Sequence, residues 1–172
     1  MISVKDVLIK IARQRISSDD PSHDISHSLR VLVNVEAIAK TENADLDILV
    51  PAALFHDLVN YPKNDSRSKL HHQESARETI KILNEISHFP KEKIPAVEYA
   101  IFMHNSKESL KTVEAKIVQD ADNLEITGAI IIMRMFASAG NMRRAFYHPE
   151  DPWGENRKLD GLKWTLDYYT DR

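Results

Sequence analysis

Histidines and aspartates recur in this sequence where apolar segments turn polar. His56 and Asp57 are adjacent at the end of one apolar run, and Asp120 and Asp122 follow another. His27 lies on a mostly apolar helical stripe that points toward the interior. Neutral imidazoles and carboxylates together suit a borderline divalent metal. These residue types therefore predict a metal site with nitrogen and oxygen ligands.

Each of these side chains has a simpler interpretation when it is taken alone. A lone His27 is more often a hydrogen-bonded core residue than a ligand. His56 could interact with its helix dipole while Asp57 pairs with a lysine, and either later aspartate could lie in a solvated turn. The chain has no cysteine but eight histidines, which excludes thiolate ligands and leaves imidazoles and carboxylates to bind any metal.

A competing metal motif is HDISH, from His23 to His27, which is close to the HExxH pattern of zinc peptidases. An aspartate replaces the glutamate base, and Pro21 places the first histidine at the helix entry. A peptidase site would also leave His56 and Asp57 without a role. We therefore disfavour this interpretation.

The loop after the His56-Asp57 pair contains Lys63, Arg67 and Lys69. Cations beside a metal site can bind substrate phosphates, although a polar loop is as often a simple solvated surface. Arg30, one turn beyond His27, and Asp24 are further candidates to position a phosphate or an attacking water.

Three more imidazoles lie within or beside predicted helices, namely His71, His72 and His104. Helical spacing places His72 on one stripe with Ala76 and Ile80 and turns His71 away. Periodicity alone therefore favours His72 as the inward residue.

The elements that carry these residues are predicted to be helices. Only four glycines occur, and the apolar residues recur at helical spacing, so we expect an all-α chain without a sheet. The segments 60–69 and 143–158 have the composition of loops. The predicted helices cover residues 4–15, 24–40, 45–57, 71–86, 95–104, 113–124, 129–139 and 159–172.

Length and charge restrict the class of protein. A chain of 172 residues fits a single domain, 1–172, and its net charge of -3 gives no reason to expect duplex nucleic acid as a partner. The N-terminus has neither a signal peptide nor a membrane span, so we expect a cytoplasmic protein without a membrane partner. The sequence does not determine the oligomeric state, and a homodimer is compatible with it. The last helix lacks a stop signal, which predicts a truncated C-terminus.

In order, the motifs HSLRV, LFHDLVN and QDADNLE resemble the HD domain superfamily of metal-dependent phosphohydrolases, whose pattern is H, then HD, then D on a helical bundle. Small stand-alone bacterial members carry HDxxHxxRV and DADRLDAIGAIGIAR, which here are HDISHSLRV and DADNLEITGAIIIMR. The resemblance implies an HD-type metal-binding core at about 21–136 and a C-terminal helical extension at about 140–172.

The resemblance also implies ligands for one divalent ion, or two, chosen from manganese, iron, cobalt, nickel, zinc and magnesium. The implied metal ligands are His27, His56, Asp57 and Asp122. Asp122 is preferred to Asp120 because the family aspartate follows an alanine. His71 and His104 match family positions for a phosphate contact or a second metal. The resemblance therefore favours His71 as the site residue, whereas helical periodicity favours His72, and the choice between them is open. Asn123 stands where family members commonly have arginine, and Glu125 stands where they commonly have aspartate. These two changes put the family's substrate contacts in doubt, rather than its metal binding.

The function implied is hydrolysis of a phosphoester or phosphoanhydride bond, in a nucleotide or related small phosphate, by metal-activated water. The predicted catalytic residues are Asp57, Asp24 and Arg30. The predicted phosphate contacts are Lys63, Arg67, His71 and His104. The alternative is a non-catalytic HD module that binds metal and nucleotide for regulation.

Overall fold

The structure is a computed structural model that describes residues 3–62 and 65–170. Within these ranges the chain is all helical, and an isolated bridge between Ala145 and Trp164 is the nearest approach to a strand. None of the helices in the described part of the chain combines the length and apolar character needed to cross a bilayer. The helices are α1 (Val4–Arg15), α2 (Ile25–Glu42), α3 (Leu46–Phe55), α4 (His71–Glu85), α5 (Ile94–Met103), α6 (Val113–Leu124), α7 (Gly128–Asn141) and α8 (Thr165–Thr170).

The predicted all-α class is confirmed, and the local differences include shifted helix ends and a short 3-10 helix, Lys91–Lys93, before α5. The loop after the HD pair contains a 3-10 helix, Ser66–Leu70, which Asp65 caps by accepting a hydrogen bond from the Arg67 amide. The last helix begins at Thr165 rather than at residue 159, so much of the extension expected to be helical is irregular. The reason is a turn at Asp160, whose carbonyl accepts hydrogen bonds from the amides of Lys163 and Trp164.

Helix α3 forms the centre of the core. Every residue from Leu49 to Phe55 is buried, because the helix is surrounded by α1, α2, α5 and α6. Burial of one large aliphatic or aromatic side chain contributes about 1.5–3 kcal/mol. The C-terminal end of the most buried helix therefore fixes the position of His56.

Capping at the start of α2 fixes His27 in a similar way. The Asp24 carboxylate accepts a hydrogen bond from the His27 amide at 3.1 Å. This N-cap satisfies one of the amides that a helix leaves unpaired in its first turn and stabilises the helix by about 1 kcal/mol. His27 consequently lies in the first turn of α2 and is fully buried against the core.

Helices α7 and α8 lie outside the main hydrophobic core, and α7 packs against α8. One side of α7 buries Ile131, Met135 and Ala139. The other side leaves Ile132 and Met133 exposed. This pair of helices forms a separate wall beside the bundle that contains α1 to α6.

Candidate metal centre

Three histidines end helical segments with the same hydrogen bond. His56 follows α3, His104 follows α5, and His71 follows the 3-10 helix Ser66–Leu70. In each ring Nδ1 donates to the carbonyl oxygen three residues earlier, at 2.9 Å to Ala53 for His56 and at 2.7 Å to Ile101 for His104. Because a carbonyl only accepts, Nδ1 carries the proton and the neutral ring keeps a lone pair on Nε2.

His27 has the same tautomer for a different reason. Its Nδ1 donates to the Glu125 carboxylate at 3.3 Å, and its Nε2 lies 3.1 Å from Nε2 of His56. Neither nitrogen can donate to the other, so two lone pairs face each other in the interior. Burial lowers the pKa of His27 to about 4, although the hydrogen bond to Glu125 opposes this shift. A cation between the rings would satisfy both lone pairs.

Two carboxylates complete the cluster. Asp122 Oδ1 lies 3.4 Å from His27 Nε2 and 3.8 Å from His56 Nε2. Asp57 Oδ2 lies 3.9 Å and 3.5 Å from the same two nitrogens. Two ligands that each lie about 2.0–2.2 Å from one ion are about 3–4 Å apart. The four side chains therefore form a buried cluster whose donor set and spacing are consistent with an HD metal site.

Both carboxylates are anionic in this setting. Burial opposes ionisation of Asp57, but the neighbouring imidazoles, His56 first, hold its pKa well below the usual range. Burial likewise opposes ionisation of Asp122, and His56 again lowers its pKa. By contrast, Asp120 is exposed on the outside of α6. The preference for Asp122 over Asp120 agrees with this placement.

A second group of ligand atoms shares Asp57. The other oxygen of Asp57, Oδ1, lies 3.8 Å from His104 Nε2, and Asp57, His72 and His104 offer atoms within 4.8 Å of one another. Nδ1 of His72 is buried and has no hydrogen-bond partner among the described residues, and burial lowers the pKa of His72 to about 3. His71 packs its ring on that of His72 but does not join this group. The geometry thus favours His72, as helical periodicity predicts.

Glu125 binds His27 through Nδ1, the ring nitrogen that does not face His56. Its buried carboxylate accepts hydrogen bonds from His27 and from Arg30, whose Nε lies 2.8 Å away. Burial opposes ionisation, yet these partners lower the pKa of Glu125 to about 2. The sequence alone indicates a change in substrate contacts at Glu125 and does not predict its hydrogen bonds to His27 and Arg30. The available signal was its spacing three residues after Asp122, which places both carboxylates on one side of the helix end.

Other predicted residues lie near the cluster but are engaged elsewhere. The Asp24 carboxylate caps α2, and Arg30 pairs with Glu125. His23, the first histidine of the HDISH motif, bonds to Asp20 at 3.0 Å through Nδ1. None of these three joins a group of potential metal ligands among the described residues.

The loop cations are not brought to the cluster by the described structure. Arg67 donates to both oxygens of Asp65, at 3.1 Å and 2.7 Å, and its guanidinium lies over the Tyr61 ring. Lys69 is exposed. Lys63 lies outside the described residues, so its predicted phosphate contact stays a prediction.

The two aspartates of the cluster, Asp57 and Asp122, line an open cleft, whereas His27 and His56 are buried behind them. One side is polar and contains the imidazoles of His71, His72 and His104. A second set of lining residues comes from α7, α8 and the residues before α7, and it is apolar apart from Arg134 and Ser138. Its lining residues include Ile126, Ile131, Met135 and Tyr168. Sequence reasoning did not identify this second side.

This helical fold with a histidine and aspartate cluster defines a known class of proteins. The HD domain model matches residues 24–127, and the chain belongs to the HD domain family. The family resemblance inferred from the motifs is thereby confirmed. The matched residues contain α2 to α6 and end before α7.

Individual relatives agree with this assignment. The chain is 34% identical over 150 residues to YpgQ of Bacillus subtilis (strain 168), covering 80% of this chain and 67% of YpgQ. The crystal structure of YpgQ in complex with ADP superimposes with a TM-score of 0.60 at 30% identity, covering 87% and 73% of the two chains. A predicted HD superfamily hydrolase from an uncultured Thermotogales bacterium has a TM-score of 0.60 at 27% identity, covering 96% and 84%.

Proposed function

We propose that this protein is a metal-dependent phosphohydrolase that cleaves a phosphoester or phosphoanhydride bond of a nucleotide. The observation that carries the proposal is the facing pair of lone pairs on His27 and His56, with anionic oxygens of Asp57 and Asp122 beside them. Such a set of acceptors favours a bound divalent cation. The cluster also opens into a cleft that a substrate can enter.

In this proposal His27, His56, Asp57 and Asp122 hold the ion. When bound, a divalent ion supplies Lewis-acid chemistry and lowers the pKa of water. Asp57 also faces His104 through its second oxygen, Oδ1, and so joins the ion-binding cluster to the imidazoles that line the cleft. Asp24 and Arg30 act as positioning residues, because Asp24 fixes the first turn of α2 and Arg30 holds Glu125 against His27.

The two sides of the cleft support a nucleotide rather than a small inorganic phosphate as substrate. The imidazoles and aspartates provide a polar end for phosphates, whereas Ile131, Met135 and Tyr168 provide an apolar surface for a nucleoside. The complex of YpgQ with ADP gives independent support for a nucleoside phosphate. His71 and His104 remain proposed phosphate contacts, since both line the cleft.

The test is hydrolysis by protein loaded separately with manganese, iron, cobalt, nickel, zinc or magnesium. Nucleoside mono-, di- and triphosphates serve as substrates, and released phosphate and pyrophosphate are measured. We expect turnover with at least one metal and a loss of about 100-fold or more in His56→Ala and Asp122→Asn. The exposed His88→Ala is the matched control and should keep wild-type activity.

Two results would count against hydrolysis. The proposal is wrong if no metal supports turnover of any nucleotide while His56→Ala binds metal as well as wild type. Tight nucleotide binding without turnover under all metals would instead support the non-catalytic HD module.

A further inference from the structure

Arg134 occupies a special position on the second side of the cleft. On α7, Ile131, Arg134, Met135 and Ser138 line the cleft, which is the spacing of one helical face. Among the described residues that line this cleft, Arg134 is the one lysine or arginine. The positive charge therefore lies on α7, whereas the cleft imidazoles His71, His72 and His104 lie in α4 and directly after α5.

Backbone carbonyls fix the Arg134 guanidinium. Nε donates to the carbonyl oxygen of Ser22 at 2.8 Å, and Nη1 donates to that of Glu125 at 3.3 Å. The remaining nitrogen, Nη2, lies 3.4 Å from His27 Nε2. The side chain is thus held in place by neutral groups, with one end directed at the cluster.

The charge of Arg134 is not matched by a nearby acid. Arg30, Arg67 and Arg157 each form an ion pair with a carboxylate. In the described part of the chain, no carboxylate oxygen lies within 4.0 Å of the Arg134 guanidinium. A partly buried arginine without a counter-charge is typical of a site whose anion comes from a ligand.

The direction of Nη2 identifies the kind of anion. Arg134 Nη2 and an ion held by His27 would both lie close to the lone pair of His27 Nε2. Two cations so close together repel each other. An anionic oxygen of a ligand would offset that repulsion and would accept a hydrogen bond from the Arg134 guanidinium. The planar guanidinium matches the tetrahedral oxygens of a phosphate through charge-assisted hydrogen bonds.

We infer that Arg134 contacts a substrate phosphate, which it holds against the ion of the His27-His56 centre. The inference rests on the proposed function for the identity of the ligand, a nucleoside phosphate. It assigns the phosphate-binding cation to α7 rather than to the loop that carries Lys63 and Arg67.

The experiment compares equilibrium binding of ADP and adenosine to metal-loaded protein. Wild type should bind ADP at least about 10-fold more tightly than adenosine. Arg134→Gln should lose about 10- to 100-fold in affinity for ADP, as expected for a charge-assisted hydrogen bond, and keep its affinity for adenosine and its metal content. Arg134→Lys should retain part of the preference. Arg77→Gln, on the exposed side of α4, is the control and should match wild type.

The binding measurement separates this inference from the proposed hydrolysis. A protein that binds ADP in an Arg134-dependent way without turnover supports the inference and contradicts hydrolysis. An active enzyme whose Arg134→Gln and Arg134→Lys variants keep the wild-type KM and ADP affinity overturns the inference alone. A wild type without preference for ADP over adenosine also overturns it, even if a variant fails to fold.

Discussion

His27 Nε2 and His56 Nε2 lie 3.1 Å apart, and each ring already donates its one proton through Nδ1, to Glu125 and to Ala53 respectively. The interior thus contains two acceptors in contact, and the donor that approaches them in the described structure is Arg134 Nη2, which lies 3.4 Å from His27 Nε2. A bound cation converts this unfavourable contact into two ligand bonds, so folding and metal binding should be coupled.

The first prediction concerns metal and stability. Added metal at about 100 times its Kd should raise the free energy of unfolding of chelator-treated protein by about 2.7 kcal/mol. Urea unfolding with and without metal measures this change. His27→Ala and His56→Ala should show no such gain, whereas His88→Ala should behave as wild type. Equal stability of the metal-free and metal-loaded wild type would contradict the coupling.

The second prediction concerns Glu125→Gln. A neutral amide weakens the hydrogen bond that orients His27 and leaves Arg30 without its carboxylate, so metal affinity should fall by about 10- to 100-fold. Competition with a chromogenic chelator measures the affinity. Glu98→Gln, an exposed substitution on α5, is the control. Unchanged affinity in Glu125→Gln would mean that Glu125 does not support the site.

The third prediction concerns the chain just after the HD pair. Ser75 Oγ accepts a hydrogen bond from the Val59 amide at 3.0 Å and donates to the Val59 carbonyl at 3.2 Å, and Ser75 is fully buried. Ser75→Ala leaves both backbone groups unpaired and should lower the free energy of unfolding by about 1–3 kcal/mol. Urea denaturation measures the loss. The exposed Ser66→Ala should change stability by less than about 0.5 kcal/mol.

The fourth prediction is the acid sensitivity of the metal-free protein. Burial lowers the pKa of His27 to about 4, below the ordinary histidine pKa of about 6.5. Between these values the unfolded chain binds more protons than the folded one, so stability is present above the unfolded pKa and is lost as pH falls. From about pH 7 to about pH 5 the loss for His27 alone should be about 2 kcal/mol. Unfolding curves for chelator-treated protein at both pH values check it, and a more stable protein at the lower pH would contradict it.

The fifth prediction concerns Arg67, which the sequence places among the phosphate contacts. Its guanidinium is bound by Asp65 and is largely exposed, so Arg67→Gln should change the KM for a nucleotide by less than about 2-fold. Steady-state kinetics beside Arg134→Gln make the comparison. An equal rise of KM in both variants would show that the loop also reaches the substrate.

Much of the fold could be predicted from the sequence, because the helices have strong apolar periodicity and clear caps. Helix α1 and helix α6 begin and end at the predicted residues. Helix α8 begins later than predicted, because the Asp160 carbonyl accepts hydrogen bonds from the amides of Lys163 and Trp164 and forms a turn before the helix. Composition alone does not distinguish that turn from a first helical turn.

The buried cluster could be anticipated in outline, since each histidine and aspartate in it ends or begins a helix. Its supporting contacts could not. His27 and Glu125 are 98 residues apart in sequence, and Arg134 and Ser22 are 112 apart. A single sequence contains no distance information at such separations, so neither Glu125 nor Arg134 could be assigned a partner.

The separation of α7 from the main core has an evolutionary consequence. Helices α2 to α6, which carry the metal-binding cluster, fall within the shared HD domain, whereas α7 and α8 lie beyond it. Under the proposed function, substitutions on the cleft face of α7 would alter the accepted ligand and leave the packing around α3 intact. Ligand preference and the ability to bind metal would then be free to change separately over evolution, because different helices carry them.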